Sequence, residues 1–244
     1  MVDLHLEAWS ALAPTLESEA DWAKWLTGRQ DISNDKLAPN LKHVPMMLRR
    51  RFNQLGKGAM GAISALPFEE QNLPCVFASQ HGDTVLTLSL LESIAQDEDM
   101  SPTGFSLAVH NAVSGLYSIA CKNKQAITAI SASNGHLVSA LIEVAGQLQV
   151  HDRVLCVLYD VPLPEVYSPY SRTLPFPYAI SMVFNRHKGR QISLQQIESN
   201  NMYPASEQVF EIPAFISFLL GSTEGVRCIL NGATWAIDEY PNVA

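Results

Sequence analysis

Charge is scarce in this sequence. Charged residues make up 16% of its 244 positions, against about 25% in typical soluble domains, whereas hydrophobic residues make up 47%. A chain with so little polar surface either buries a large core or covers apolar surface with a partner. Positive charge is the scarcer sign, because 16 Lys and Arg face 24 Asp and Glu and the net charge is −8. This balance disfavours a nucleic-acid partner, since such proteins are usually basic.

Cysteine is also sparse, and long hydrophobic runs are missing. The four cysteines are widely spaced without a CxxC pair, which indicates small buried hydrophobes in a reduced, cytoplasmic protein. No stretch approaches the ~18 apolar residues of a membrane span. The first residues contain no basic segment followed by a long apolar run, so we predict no signal peptide.

Motifs for cofactors are lacking as well. Gly56-Lys57-Gly58 has no Ser or Thr after the lysine and follows a helical pattern, so it does not indicate a phosphate-binding loop. Residues 221–225 do not centre a serine between glycines as a nucleophile elbow does. The seven histidines show no paired metal-ligand spacing. We therefore predict no metal and no other cofactor.

Strands and helices alternate in the middle of the chain. Apolar runs at 75–79, 125–131 and 154–159 predict buried strands, and helical segments separate them. This order is typical of an α/β fold with a mixed, mostly parallel sheet and helices on both faces. By contrast, residues 1–44 have a polar, irregular pattern, which predicts an N-terminal extension.

Two hairpins are predicted beyond residue 177. The first joins strands at 178–185 and 191–195 through the turn 186–189. The second follows a helix near 212–220 and joins strands at 226–230 and 235–237. Asn231-Gly232 between them is a strong hairpin signal.

One dense basic patch is present, formed by Arg49, Arg50, Arg51 and Lys57. Such a patch is either a solvated helix face or a contact surface for something acidic, such as a carrier protein or a partner subunit.

The stretch from residue 101 to residue 131 resembles a known family. Ser101-Pro102 is followed by Asn111, then by Gly115 and Ile119, and then by Thr128-Ala129. In β-ketoacyl synthases, Ser-Pro, a helix that carries Asn and Gly, and Thr-Ala precede the catalytic cysteine in this order. The resemblance covers 45–198 and implies half of a thiolase-like (ketosynthase) fold. We expect 1–44 to extend this core and 199–244 to add the C-terminal helix and hairpin within one domain, 1–244.

The family's nucleophile is absent from this pattern. Ile130 and Ser131 follow Thr128-Ala129 where the resemblance implies a cysteine. The resemblance also implies two catalytic histidines from a second half, and the last histidine here is His187. A condensing enzyme needs both the thiolate and the histidines. The chain therefore resembles the short, N-terminal-domain-only ketosynthase-like proteins of aryl polyene and similar fatty-acid-like pathways, which are described as chain length factors.

This resemblance implies a function and a set of site residues. A chain length factor is a non-catalytic subunit that forms a heterodimer with a catalytic ketosynthase, shapes its acyl tunnel and meets the acyl carrier protein. The matching positions at the partner interface are Gln125, Ala126, Ile127, Thr128, Ala129 and Asn111. The positions that match the acyl-tunnel lining are Thr103, Gly104, Phe105, Leu107 and Ala108. Gly104 stands where the family usually has an aromatic residue, so Phe105 is the expected stop of a roomier tunnel.

Two alternatives stay open. In the first, the chain is a divergent acyltransferase or synthase with Ser131 as nucleophile, although no base is evident beside it. In the second, it is a stand-alone module that binds an acyl carrier protein without a synthase partner.

Overall fold

One eight-stranded sheet and the helices on its two faces make up the described part of the chain. The computed structural model describes residues 1–32, 36–67, 72–132, 134–171, 173–198 and 211–240. The strands are β1 (Val2–Leu12), β2 (Cys75–Ala78), β3 (Ile127–Ile130), β4 (Arg153–Asp160), β5 (Tyr178–Asn185), β6 (Arg190–Ile197), β7 (Gly225–Leu230) and β8 (Ala233–Glu239). The helices are α1 (Glu19–Leu26), α2 (Met46–Arg49), α3 (Gln54–Ser64), α4 (Thr84–Ala95), α5 (Pro102–Leu107), α6 (Ala112–Cys121), α7 (His136–Gln147) and α8 (Glu211–Leu219), and a 3-10 turn spans Glu165–Tyr167.

The sheet confirms the α/β class but corrects the strand directions. Its order is β3-β2-β4-β5-β1-β6-β8-β7. Only the pairs of β2 with β3 and with β4 are parallel among the described strands, and every other pair is antiparallel. The prediction of a mostly parallel sheet was wrong because strands are inserted between others that run in the same direction. β1 lies between β5 and β6, and β8 lies between β6 and β7, so each of these neighbouring pairs is antiparallel.

The N-terminal segment is part of this sheet. β1 lies between β5 and β6 and pairs antiparallel with both, for example Leu12 with Ala179 and Val2 with Leu194. The prediction of irregular structure for 1–44 was therefore wrong over this strand. Leu4 and Leu6 are buried, and the polar residues between them point to the other face. This period of two is the signal of a strand.

One predicted hairpin is confirmed and the other is wrong. β7 and β8 pair through Asn231-Gly232, whose φ angles of 52° and 78° suit the tight turn of a hairpin. β5 and β6 do not pair with each other, because β1 lies between them. Gly189 lies in the turn between β5 and β6 and has a φ of 127°. A Cβ atom at this position would lie 2.4 Å from the carbonyl oxygen of Leu6 in β1.

Helices cover both faces of the sheet, as predicted. α7 and α8 share one core with the sheet, with Trp22 of α1 at its margin, and α3 and α6 share the other core. The hairpin of β7 and β8, which follows α8, belongs to the same sheet because β8 pairs with β6. The division at residues 44 and 198 stays a prediction, and residues 199–210 and 241–244 of its C-terminal segment lie outside the described residues.

Candidate functional site

The candidate site lies where the three parallel strands end. β2, β3 and β4 run in the same direction, so their carboxyl ends meet at one edge of the sheet. Ligands of open α/β sheets usually bind at this edge. Ser79 follows β2, Ile130 ends β3 and Asp160 ends β4, and the Ser79 amide donates a hydrogen bond of 3.1 Å to the Ile130 carbonyl oxygen.

Asp160 is buried at the centre of these strand ends. Its carboxylate accepts hydrogen bonds from the Ser79 hydroxyl at 2.7 Å, from the Gln80 amide at 2.9 Å and from the Tyr178 hydroxyl at 3.4 Å. Burial raises the pKa of Asp160 to about 6, and these donors oppose the rise because they stabilise the ionised form. Asp160 therefore fastens the turn after β2 to the end of β4.

His136 extends this polar cluster into the first turn of α7. Its Nε2 lies 3.1 Å from the Tyr178 hydroxyl oxygen. Because Tyr178 gives its proton to Asp160, His136 is the donor in this contact. Burial, with a smaller contribution from His81, lowers the pKa of His136 to about 4. His136 is therefore a neutral residue with a structural role at pH 7.

Ile130 and Ser131 occupy the predicted nucleophile position without the surroundings of a nucleophile. The exposed Ser131 hydroxyl donates a hydrogen bond of 3.0 Å to the Gln80 carbonyl oxygen. His110 Nε2 donates at 2.8 Å to the Ile130 carbonyl oxygen instead. No histidine of the described residues is hydrogen-bonded to Ser131. A serine nucleophile needs such a base within hydrogen-bond reach.

The predicted partner interface forms an open edge of the sheet. β3 pairs with β2 on one side, and no other described strand pairs with its second side. Gln125 and Ala126 are exposed just before the strand, and Ile127, Thr128 and Ala129 are half-buried within it. Thr128 is held by α7, because its hydroxyl donates to Glu143 at 2.9 Å. Asn111 is exposed and follows His110, which contacts the end of β3.

α4 is an interface candidate that sequence reasoning missed. The helix is strongly apolar, with Glu92 its only charged residue, yet none of its 12 residues is buried against the described part of the chain. Val85, Leu91 and Ile94 are 55%, 51% and 56% exposed. A helix that is apolar on all sides belongs in an interior or an interface. The sequence did contain a signal for this interface, namely the apolar composition of the helix with its single charged residue.

The predicted tunnel residues lie on α5, which packs beside α4. Thr103 and Phe105 are exposed, Phe105 by 60%, whereas Leu107 is half-buried against the core that α3 and α6 share. Gly104 and Ala108 are half-buried. A Cβ atom at Gly104 would lie 3.4 Å from the Ser101 Cβ, which is ordinary contact, so the backbone does not demand glycine there.

The basic patch is divided between two helices. Arg49 ends α2, Arg50 and Arg51 follow it, and Lys57 is the fourth residue of α3. Arg50 and Arg51 are exposed, and Arg49 and Lys57 are half-buried. No carboxylate within the described ranges forms an ion pair with any of the four.

The described residues contain no group of three or more His, Cys, Asp or Glu side chains placed to hold a metal ion. None of their helices has the length and apolar character needed to cross a bilayer.

These features define a ketosynthase-type, thiolase-like α/β fold whose strand ends carry a hydrogen-bonded polar cluster. Residues 22–236 match the family model described as "Beta-ketoacyl synthase, N-terminal domain". The chain therefore belongs to the N-terminal-domain family of the β-ketoacyl synthases. No curated protein matches it.

Solved structures show the same fold at low sequence identity. A chain from the complex of the ketosynthase ApeO with its chain length factor ApeC from Xenorhabdus doucetiae is 22% identical, with a TM-score of 0.81. That alignment covers 98% of this chain and 100% of the other. The ishigamide ketosynthase/chain length factor is 11% identical with a TM-score of 0.62, over 80% of this chain and 68% of the other.

A third similar structure contains a carrier protein. AntDE:AntF, an acyl-carrier protein in complex with its ketosynthase bound to the hexaketide, is 11% identical with a TM-score of 0.63. The alignment covers 98% of this chain and 99% of that one.

Proposed function

We propose that the chain is a chain length factor, a non-catalytic subunit that forms a heterodimer with a catalytic β-ketoacyl synthase. In this role it acts in the cytoplasm and shapes the acyl tunnel while a polyene or similar fatty-acid-like chain is elongated on an acyl carrier protein. The similarity to a chain of the ApeO–ApeC complex supports this role.

The proposal is carried by uncovered surface, namely the open edge strand β3 and the exposed apolar residues of α4. Unpaired strand edges and exposed apolar surface promote association unless a partner covers them. α4 adds Val85, Leu91 and Ile94 to this surface, and α5 adds Phe105 next to α4. A second sheet of the same fold, joined edge to edge at β3, would cover both features.

The state of Ser131 supports a non-catalytic role. Its hydroxyl is used in a hydrogen bond to the Gln80 carbonyl oxygen, and the nearby His110 is used by the Ile130 carbonyl oxygen. A nucleophilic step at Ser131 would require both hydrogen bonds to be broken. In the proposed heterodimer, the ketosynthase supplies the thiolate and the histidines.

Carrier-protein contact is the further part of the proposal. Arg49, Arg50, Arg51 and Lys57 have no ion-pair partner among the described residues, and they suit an acidic protein surface.

Co-expression with a ketosynthase tests the proposal. The partner is the full-length ketosynthase encoded in the same gene cluster, which we call the cognate ketosynthase. Expressed alone, the chain is expected to aggregate, because α4 and β3 are uncovered. Together, the two proteins are expected to elute as one 1:1 species in size-exclusion chromatography with light scattering. A monodisperse chain that ignores the ketosynthase would contradict the proposal and favour a stand-alone carrier-binding module.

Ser131→Ala tests the enzymatic alternative. We expect the heterodimer with this variant to retain the turnover of the wild-type pair within about twofold, because Ser131 has no base. Mass spectrometry after incubation with an acyl carrier thioester is expected to find no acyl group on the wild-type chain. Acylation at Ser131 would establish the alternative.

A further inference from the structure

The connection between β4 and β5 has a defined shape. We call its described residues 161–171 the proline loop, since Pro162, Pro164 and Pro169 lie within it. The 3-10 turn Glu165–Tyr167 begins with the Tyr167 amide donating to the Pro164 carbonyl oxygen at 2.9 Å. The Tyr170 amide then donates to the Tyr167 carbonyl oxygen at 3.0 Å. Because prolines fix φ and these bonds hold the turns, the loop keeps one conformation without a partner.

This ordered loop presents two large apolar side chains to solvent. Tyr170 is 86% exposed and Val166 is 57% exposed. Tyrosine on a preorganised loop is among the residues that contribute most to protein–protein binding, because it buries a large area at a low cost in side-chain entropy. The folded chain gains nothing by displaying these two side chains, which indicates that they belong to a contact surface.

The proline loop joins the uncovered surface around α4 and β3. The Ser171 hydroxyl oxygen lies 3.1 Å from His81 Nε2, and His81 stands in the turn that leads from β2 to α4. Gln80, one residue earlier, accepts the hydrogen bond of Ser131 at the end of β3. The loop is thus fastened at its Ser171 end to the turn that joins β2 to α4, and the same turn contacts the end of β3 through Gln80 and Ser131.

We infer that the proline loop is a second contact surface for the ketosynthase subunit, with Tyr170 as an anchor in an apolar pocket of that subunit. This inference rests on the proposed function. Position favours the ketosynthase over a carrier protein as the occupant. The loop continues the surface proposed for the heterodimer through His81 and Gln80, whereas the basic residues that suit an acidic carrier lie on and beside α2 and α3.

Photo-crosslinking tests the inference in the intact pair. Benzoylphenylalanine is placed at Tyr170, at Val85 of α4 or at Val150, which is 74% exposed in the turn after α7. Each variant is co-expressed with the cognate ketosynthase and irradiated. We expect a crosslinked heterodimer from positions 170 and 85 and none from position 150.

The outcomes separate this inference from the proposed function. A crosslink at 85 but not at 170 overturns the contact of the proline loop and leaves the heterodimer in place. No crosslink at either position counts against the heterodimer itself. A crosslink from 170 to the carrier protein or to a second copy of this chain overturns the choice of partner.

Binding measurements provide the second readout. Tyr170→Ser is expected to raise the Kd for the ketosynthase about tenfold, whereas Val150→Ser is expected to leave the Kd unchanged. Both side chains are exposed, so neither substitution disturbs the core. An unchanged Kd for Tyr170→Ser would overturn the role of Tyr170 as an anchor.

Discussion

The Asp160 carboxylate accepts a hydrogen bond from the Ser79 hydroxyl at 2.7 Å, which joins the end of β4 to the residue that follows β2. Asp160 and His136 both contact the Tyr178 hydroxyl from buried positions. Burial moves their pKa values in opposite directions, to about 6 for the acid and about 4 for the histidine. Their contributions to stability therefore respond to pH with opposite signs.

We predict that single substitutions of this pair reveal those opposite signs. Asp160 has its pKa raised from 3.8, so its contribution is lost as pH rises towards 6. His136 has its pKa lowered from 6.5, so its contribution is lost as pH falls towards 4. Between pH 4 and 6, the stability of Asp160→Asn relative to wild type should rise as the pH rises. The stability of His136→Gln relative to wild type should fall as the pH rises. Each change in slope should approach about 1.4 kcal/mol per pH unit.

Denaturant unfolding of heterodimers that contain the wild-type chain or either variant, compared at equal protein concentration, measures both changes in slope. Glu211 is another buried acid with a raised pKa, at about 7, but it is common to both variants and cancels in their comparison. Slopes that move in the same direction for the two variants would contradict the assignment.

Charge placed on α4 should prevent the heterodimer from forming. Leu91→Asp with Ile94→Asp puts two carboxylates on the exposed apolar side of the helix. Burying unpaired charge costs several kcal/mol, so we expect the Kd for the ketosynthase to rise at least 100-fold, and the variant alone to be more soluble. Val150→Asp is the matched control at an exposed valine outside this surface. Normal co-elution of the double variant would place α4 outside the interface.

Phe105 should influence product length. Its side chain is 60% exposed at the edge of the proposed interface, where it would meet the end of the growing acyl chain. Phe105→Ala removes that stop, and the reconstituted pair is expected to make longer products by mass spectrometry. Val150→Ala should leave the product distribution unchanged. Products of unchanged length from Phe105→Ala would show that another residue ends the tunnel.

Two glycines of the α7 region should respond to alanine in opposite ways. Gly135 has a φ of 62°, and a Cβ atom there would lie 2.6 Å from the Ile229 carbonyl oxygen of β7. Gly135→Ala should therefore lower the free energy of unfolding by at least about 2 kcal/mol. Gly146 lies in α7 with nothing within 4 Å of a Cβ atom, so Gly146→Ala should raise it by up to about 1 kcal/mol. Equal effects in a denaturant titration would contradict the close contact of β7 with α7.

The parts of the fold that the sequence predicted are those with strong local signals. The strands that became β2, β3 and β4 are apolar runs between helical patterns, and Asn231-Gly232 marks its turn without help from the rest of the chain. The absence of a cysteine after Ala129 is a property of the sequence, and the structure adds that the Ser131 hydroxyl donates a hydrogen bond to the Gln80 carbonyl oxygen.

The missed parts depend on contacts between distant residues. The turn at 186–189 has the pattern of a hairpin, but β5 and β6 both pair antiparallel with β1, which comes from a distant part of the sequence, and so run in the same direction. α4 was recognised as a helix, but its lack of buried residues is a property of the packed structure. The Asp160 cluster joins residues about 80 positions apart, and no local pattern reveals such a pairing.

The position of β1 has a consequence for how the chain folds. β1 pairs with β5 and β6, so Val2 can pair with Leu194 only after the residues between them are present. Contacts at such separation slow folding because a long loop must be ordered first. Loss of residues 2–12 would divide the sheet into the group β3-β2-β4-β5 and the group β6-β8-β7, so the continuity of the sheet depends on β1.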